Sequence, residues 1–368
     1  MEAAVTDRAA RKAELLSSGY IFVDPSVAAL EGVARSTAGP DAGESAITLE
    51  WRGSRVRMRV TKDPAASFRL VERDAGLAIL KGGAPFVEGV DYLPNLMHAP
   101  GMAFVNIESG CAMDCKFCAT PHLKRDQRKR VKKEEWLKRL LEAAKREDLK
   151  SIGITAGVSG VPGKTLADME WLVRELRARL PDLPIGAEPY VEVEEEILRL
   201  KRAGVTELKL NLQSYDRRVF AKVCPDWDFE RLLRLIAFAG REFGRERVTA
   251  NLIVGMGETD ESVEAGVRFL AGNGIVPTVR ALRWNDVNRE HLEAALGGPV
   301  EPVTPERMLN LARMQERLLA EAGLSSLNYK TMCHACGACD IVPQVDLAPA
   351  SRASGALIQL GRVPPGVA

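Results

Sequence analysis

From about residue 102 the sequence alternates between short apolar runs and amphipathic stretches, and this alternation limits the folds open to the chain. Strand–helix repetition predicts a parallel sheet with helices packed against it. Six strand–helix units are too few for a closed eightfold barrel. The predicted strands are AFVNIES (103–109), SIGITA (151–156), PIGAEPY (184–190), TELKLNL (206–212), VTANLIV (248–254) and TVRALRW (278–284). The predicted helices lie near 132–147, 165–180, 192–203, 228–243, 260–273 and 304–323.

The first 97 residues have a different character, and we interpret them as a small N-terminal cap of strands. A helix is expected near 6–17, and the run ITLEWRGSRVRMRV alternates as half-buried strands do. FRLVERDAGLAILKGG predicts a hairpin-like pair of strands around DAG, and 36–45 is a polar loop. The predicted organisation is therefore a β-rich cap (1–97), an α/β barrel (98–300) and a Cys-rich C-terminal extension (301–368).

Six of the seven cysteines fall into two tight clusters, which favours metal ligation over disulfides. The first cluster, ESGCAMDCKFCATPH, places Cys111, Cys115 and Cys118 at a C-x3-C-x2-C spacing after the first predicted barrel strand. Three thiolates are one short of a closed structural zinc site, and on a cubic iron–sulfur cluster they leave one iron open. A zinc site that includes His122 is the alternative.

This spacing, with the aromatic Phe117 just before the third cysteine, resembles the signature of the radical S-adenosylmethionine (SAM) superfamily. The resemblance covers roughly residues 98–290 and implies a partial (β/α)6 barrel. It implies that the three cysteines hold a [4Fe-4S] cluster whose open iron binds SAM. Reductive cleavage of SAM would then yield a 5′-deoxyadenosyl radical, with ferredoxin or flavodoxin as the low-potential reductant.

Ligands of parallel α/β folds sit at the carboxyl ends of the strands, which selects candidate residues for SAM binding. TAGVSG resembles the family's glycine-rich motif, with Ala156 in place of its second glycine. NLIVGMGE resembles the family's adenine-contacting segment, with Asn251 in place of its first glycine. Arg280 and Arg283 are expected to pair with a carboxylate of SAM or substrate, or to form a structural ion pair. The candidate cofactor-binding residues are Phe117, Gly157, Glu188, Asn211, Ile253, Gly255 and Arg280.

The second cysteine cluster, NYKTMCHACGACDIVP, has Cys333, Cys336 and Cys339 at a C-x2-C-x2-C spacing. These three cysteines match the first three of the four in the bacterial ferredoxin pattern. In this chain, Pro343 stands where the fourth cysteine would be. An auxiliary [4Fe-4S] cluster with an incomplete local ligand set is therefore expected, with zinc and His334 as the alternative.

The missing fourth ligand has several candidates, which are Cys224, Ser351, Ser354 and the substrate itself. In role, the arrangement resembles that of lipoyl synthases, in which a serine near the C-terminus completes the auxiliary cluster. That resemblance implies an auxiliary cluster that donates a bridging sulfide.

Composition narrows the function classes further. The 51 basic and 50 acidic residues balance, which argues against a dedicated nucleic-acid binder. No apolar run reaches the roughly 18 residues of a membrane span, and no secretory signal is recognisable, so a cytoplasmic location is expected. The basic run KRDQRKRVKK (124–133) is either a solvated face or a docking patch for an acidic carrier protein.

Together these features predict a radical SAM enzyme with SAM and two [4Fe-4S] clusters as cofactors. The most specific interpretation is sulfur insertion into unactivated C–H bonds, as in biotin and lipoyl synthases. An octanoyl chain on a lipoyl carrier protein would then be the substrate, and a second radical SAM subunit is expected. The alternatives are a peptide- or cofactor-maturation enzyme, whose auxiliary cluster binds substrate or relays electrons, and a non-catalytic metal-binding scaffold.

Overall fold

The computed structural model describes residues 2–27, 30, 33–36, 40–124, 131–161 and 163–349, without the side chains of 2–6, 34, 35, 333 and 335. The strands are β1 (Tyr20–Val23), β2 (Ala34–Arg35), β3 (Ser45–Trp51), β4 (Ser54–Thr61), β5 (Phe68–Arg73), β6 (Gly76–Lys81), β7 (Ala84–Leu93), β8 (Met102–Asn106), β9 (Ser151–Thr155), β10 (Ile185–Glu188), β11 (Glu207–Lys209), β12 (Val248–Val254) and β13 (Val276–Ala281). The helices are α1 (Glu2–Ser18), α2 (Lys133–Ala143), α3 (Lys164–Arg179), α4 (Glu194–Ala203), α5 (Arg217–Val223), α6 (Phe229–Phe243), α7 (Asp260–Gly272), α8 (Arg289–Leu296), α9 (Pro305–Glu321), α10 (Met332–Cys336) and α11 (Pro343–Asp346).

Strands β8 to β13 form one sheet in chain order, and each neighbouring pair is parallel. Helices follow these strands in turn, and alternate strand residues such as Ile152 and Ile154 join the apolar core that the helices cover. No pairing joins β8 to β13 within the described ranges, so this sheet is an open partial barrel. The predicted partial (β/α)6 architecture is confirmed.

Strands β1 to β7 form a second sheet that closes on itself. Its order is β2-β3-β4-β1-β5-β6-β7, and β3 pairs with β7 as well as with β4. Strand β1 lies parallel to β4 and β5, whereas the other pairs are antiparallel. The predicted cap strands are therefore a small closed barrel, because the pairing of β3 with β7 removes the free edges.

The C-terminal segment fills the interior of the partial barrel. A Cβ on Gly153 of β9 would lie 3.1 Å from Met332 Sδ, and one on Gly186 of β10 would lie 2.1 Å from Thr331 Oγ1. His334 Nε2 lies 2.6 Å from the Thr249 hydroxyl of β12 and 2.8 Å from the Thr278 hydroxyl of β13. Two strand glycines therefore make room for residues 331–334 inside the sheet.

The cap and the C-terminal segment are joined through buried polar contacts. Lys12 of α1 forms an ion pair with Asp346 at 2.6 Å, and both side chains are fully buried. Ser54 of β4 donates a hydrogen bond to the same carboxylate at 2.5 Å. The Arg57 amide of β4 donates to the Ala338 carbonyl at 2.8 Å. These contacts bring β4 next to the second cysteine motif.

The predicted barrel strands and the six predicted helices that follow residue 130 are all present, with bounds that shift by a few residues. The sequence did not predict α5 and α8, which are short helices of seven and eight residues. Among the described helices, none is both long enough and apolar enough to cross a bilayer.

Candidate active site

A cavity of about 290 Å³ opens at the carboxyl ends of the barrel strands, between the partial barrel and the cap. We call it the mouth cavity. Its lining residues come from the first cysteine loop, the strand ends, the cap and the C-terminal segment. They include Cys111, Cys115, Phe117, Cys118, Gly157, Glu188, Asn211, Asn251, Ile253 and Arg280, and also Asp41, Arg57, His98, Phe104, Met113, Tyr190, Lys209, Trp227, Arg283 and Cys339. Six of the seven predicted cofactor-binding residues are in this set.

The first cysteine loop follows β8 and is held by backbone contacts to two other loops. The amide of Ala112 donates to the Val158 carbonyl at 2.8 Å, and that of Lys116 donates to the Val223 carbonyl at 2.9 Å. Gly157 donates to the Glu108 carbonyl at 3.0 Å, and a Cβ at Gly157 would lie only 2.0 Å from the Gly110 carbonyl oxygen. The predicted glycine is therefore required by the close approach of the loop backbone.

The three thiols of the loop lie in surroundings that differ in polarity. Burial raises the pKa of Cys111 and raises that of Cys118 to about 12. The pKa of Cys115 is lowered by hydrogen bonds from the Cys224 thiol and from the Trp227 indole, although burial opposes this effect. Because metal ligation requires thiolates, binding at this loop must be coupled to proton release.

Cys224 lies against Cys115 and is 1% exposed. It was one candidate for the fourth ligand of the auxiliary cluster. The structure places it beside the first cysteine loop, where its side chain contacts Cys115. The spacing of residues along the chain gives no indication of this neighbour.

Glu188, Lys209 and Asn211 form a polar network on the inner wall of the mouth cavity. Asn211 Nδ2 donates to Glu188 Oε1 at 2.5 Å, and Lys209 Nζ lies 3.1 Å from the same oxygen. The two predicted residues therefore contact each other. Sequence reasoning missed Lys209, although strand alternation in TELKLNL puts it on the same face as Asn211.

Asn251 occupies the position at which the family motif has glycine, and it brings a polar atom into the cavity. Its side chain is buried, and its Oδ1 has no hydrogen-bond partner among the described residues. Ile253 lines the cavity two residues further along β12. A buried acceptor of this kind is costly unless a ligand donates to it.

Gly255 lies outside the lining of the mouth cavity. Its φ is +105°, and its amide donates to Glu258 Oε1 at 2.7 Å. A Cβ there would lie 2.7 Å from Val303 Cγ2. Gly255 is needed for a turn against Val303, and its predicted contact with the cofactor stays a prediction.

The two arginines of the sixth strand region have different partners. Arg280 Nη2 is 4.0 Å from Asp340, the residue after Cys339. Arg283 is 2.9 Å from Asp41 of the cap loop, which also lies 3.5 Å from Arg59. Arg283 is therefore part of a structural ion pair between barrel and cap.

The second cysteine motif reaches the same cavity. Cys339 lines the mouth cavity, and Cys336 is buried in a small apolar cluster with Ala99 and Met102. His334, the alternative zinc ligand, is hydrogen-bonded to the hydroxyls of Thr249 and Thr278 inside the barrel. The Cys333 side chain, Ser351 and Ser354 lie outside the described part of the chain, as do residues 125–130 of the basic run.

The thiols of the first cysteine loop are a donor set that fits one [4Fe-4S] cluster with SAM. Cys111, Cys115 and Cys118 supply three thiols at the wall of the mouth cavity, and Asn251 Oδ1 is an acceptor that awaits a donor. Among the described side chains, no group of three or more His, Cys, Asp or Glu converges to hold a single metal ion.

Comparison with known proteins agrees with the cysteine signature. Residues 105–270 match the family model described as the Radical SAM superfamily. A lipoyl synthase of Chlorobaculum parvum is 29% identical over 178 residues, which are 46% of this chain and 58% of the relative. A lipoyl synthase of Corynebacterium urealyticum is 29% identical over 188 residues, which are 47% and 49% of the two chains. The chain thus spans about half the length of the curated relatives it matches.

Two solved structures at 18% sequence identity have a similar fold. Methylornithine synthase (PylB) has a TM-score of 0.45, and the match covers 61% of this chain and 69% of the PylB chain. The FeFe-hydrogenase maturase HydG from Carboxydothermus hydrogenoformans has a TM-score of 0.49, and the match covers 61% of this chain and 52% of the HydG chain.

Proposed function

We propose that this chain, which carries a radical SAM domain, inserts sulfur into unactivated C–H bonds of an acyl chain, as lipoyl synthases do. One observation carries the proposal: Cys339 of the second motif lines the same cavity as Cys111, Cys115 and Cys118 of the first. A radical generated at one cysteine loop and a sulfur source at the other would then meet at one substrate. The similarity to two lipoyl synthases supports the same reaction type.

Bound SAM and its [4Fe-4S] cluster would supply radical chemistry at this site, with a low-potential reductant such as ferredoxin or flavodoxin as the electron donor. The residues of the chain provide binding, orientation and exclusion of water. Cys111, Cys115 and Cys118 would bind three irons. The polar network of Glu188 and Asn211 would hold the polar groups of SAM, and Ile253 would pack on its adenine.

The wall of the mouth cavity combines apolar and cysteine side chains. Phe104, Met113 and Phe117 line it, which suits an alkyl chain. The cap closes it from the other side through Arg57 and Asp41. Cys336 and Cys339, with Cys333, would hold the auxiliary [4Fe-4S] cluster, which would supply sulfide next to that chain.

A carrier-bound octanoyl group is the proposed substrate, and a second radical SAM subunit is the proposed partner. Anaerobic holoenzyme would be incubated with SAM, dithionite and octanoylated carrier protein, and the carrier would be analysed by mass spectrometry. We expect a mass increase of one sulfur atom for each insertion. Deoxyadenosine formation without any sulfur-containing carrier, also when the second subunit is added, would contradict the sulfur-insertion proposal.

Cys336→Ala separates the two clusters in this assay. The variant should still cleave SAM, because the first loop is intact, but it should form no sulfur-containing product. Cys115→Ala should lose SAM cleavage and keep the auxiliary cluster. Full turnover by Cys336→Ala would contradict the role of the auxiliary cluster as a sulfur donor.

The charge of the mouth cavity favours a second candidate. Its wall carries Arg57, Lys209, Arg280 and Arg283 against the two carboxylates of Asp41 and Glu188. A net positive lining suits a peptide or an anionic precursor better than an alkyl chain. In that case the auxiliary cluster would bind substrate or relay electrons, and the same assay would yield no sulfur-containing carrier.

A further inference from the structure

The second cysteine motif needs a fourth ligand that its own sequence does not supply. Its three cysteines are followed by Pro343 at the expected position. The remaining cysteine, Cys224, packs against Cys115 of the first loop. Within the described chain no further cysteine is left to supply the missing ligand, so a protein ligand there would have to be another residue type.

Among the residues that line the mouth cavity, His98 is a candidate for such a ligand. It lines the mouth cavity together with Cys339, and its ring centroid is 4.8 Å from that of Phe104. Its carbonyl oxygen accepts a hydrogen bond from Arg57 Nη1 at 2.6 Å. The side chain of Arg57 is buried, so this contact holds the backbone of residue 98 at the junction of cap and barrel.

Two further contacts tie residues 98 and 99 to the second motif. Ala99 shares a buried apolar cluster with Cys336 and Ala338. The Arg57 amide donates to the Ala338 carbonyl at 2.8 Å, while its guanidinium donates to the His98 carbonyl. The segment before β8 and the second cysteine motif are thus fixed to each other and to the same strand, β4.

The other three of the four histidines have different environments. His122 and His291 stack on each other with ring centroids 3.8 Å apart. His334 Nε2 is bonded to the Thr249 and Thr278 hydroxyls inside the barrel. His98 is the histidine that shares the cavity wall with Cys339.

We infer that a ring nitrogen of His98 is the fourth ligand of the auxiliary cluster, an inference that rests on the proposed function because it requires that cluster to exist. Imidazole is a suitable iron ligand, and histidine replaces cysteine on one iron of Rieske centres. A neutral ligand in place of a thiolate makes the cluster one charge less negative. The cap therefore has a role in the site, since Arg57 of β4 positions both the histidine and the cysteine motif.

The test uses the anaerobic holoenzyme grown with 15N-labelled histidine and measured without SAM. Pulsed EPR of the reduced protein detects the hyperfine coupling of a nitrogen bound to a cluster. We expect a 15N coupling in the wild type, its loss in His98→Cys with about eight irons per chain retained, and its persistence in His334→Gln. A cysteine at position 98 would restore an all-thiolate cluster.

Each other result decides between the proposals. If the wild type holds about eight irons per chain and shows no histidine coupling, the inference about His98 is overturned while the auxiliary cluster still stands. This result needs no variant. A coupling that survives His98→Cys would also overturn the inference. About four irons per chain would instead remove the auxiliary cluster, and the proposed function would fail with it.

Discussion

The indole of Trp227 donates a hydrogen bond from Nε1 to Cys115 Sγ over 3.2 Å, although the two residues are 112 positions apart. Tyr190 packs edge-on against Trp227, with ring centroids 4.9 Å apart, and so holds the indole in place. The amide of Asp114 donates to Asp226 at 2.6 Å, which binds the same two loops together. The loop after α5 thus surrounds the middle cysteine of the first motif.

Trp227→Phe should make the first cluster harder to reduce. A hydrogen bond to a ligating sulfur stabilises the more negative, reduced cluster, so its loss lowers the reduction potential. We expect the reduced-to-oxidised ratio at a fixed potential to fall about tenfold, which equals about 59 mV for one electron. An EPR-monitored redox titration without SAM measures this, with Trp171→Phe on α3 as the matched control. Identical potentials for the two variants would contradict the prediction.

Gly157→Ala should disrupt the first cysteine loop. The new Cβ would lie 2.0 Å from the Gly110 carbonyl oxygen, and backbone cannot yield as a flexible side chain does. We expect the free energy of unfolding to fall by about 2 kcal/mol and iron incorporation to drop. Urea denaturation and iron analysis check both. Gly160→Ala is the control, because no atom of the described residues lies within 4 Å of its Cβ position. Equal stabilities would show that the loop can move aside.

Asn251→Ala should weaken SAM binding about tenfold, the effect of losing a hydrogen bond worth about 1.4 kcal/mol. The reason is that the buried Oδ1 has no hydrogen-bond partner in the described part of the chain, so a ligand in the mouth cavity can donate to it. Equilibrium binding of SAM to the reconstituted protein is the measurement. Asn273→Ala, at the end of α7, should leave the affinity unchanged. If both variants bound SAM like the wild type, Asn251 would have no part in the cofactor site.

Asp41→Asn should weaken the junction between cap and barrel. Burial alone would raise the pKa of Asp41, but the Arg283 and Arg59 guanidinium groups outweigh burial and lower it. The pKa of Asp41 is lower in the folded state than in the unfolded state, where it is about 4. The ionised carboxylate therefore stabilises the fold fully at pH values above about 4, and this stabilisation is lost as the pH falls through the folded-state pKa. The variant should lose about 3 kcal/mol at pH 7, since it leaves Arg283 unpaired.

Chemical denaturation of the wild type and Asp41→Asn at pH 7 and at pH 3 tests the sign. The difference between them should shrink at the lower pH. Asp7→Asn, which breaks a half-exposed pair with Arg11, should change stability little at either pH. A difference that grows in acid would contradict the assignment of Asp41 as an ionised partner.

Local patterns predicted the parts of this protein that depend on neighbours in the chain. The C-x3-C-x2-C spacing selected Cys111, Cys115 and Cys118 as candidate ligands, because the placement of three cysteines on one short loop depends only on that loop. Alternation along each run predicted the barrel strands, and the strand-end rule selected Glu188 and Asn211, which contact each other. Short helices such as α8 were not predicted, because a stretch of eight residues shows too little helical periodicity to be recognised.

The tertiary structure alone decided which distant segments share the mouth cavity. Cys339 and Arg57 line it, and Cys224 packs against Cys115 instead of joining the second motif. Such contacts follow from how the closed cap barrel packs on the open sheet and how residues 331–334 fill its interior. Spacing along the chain carries no information about that packing, because contacts between distant segments depend on the three-dimensional path of every element between them.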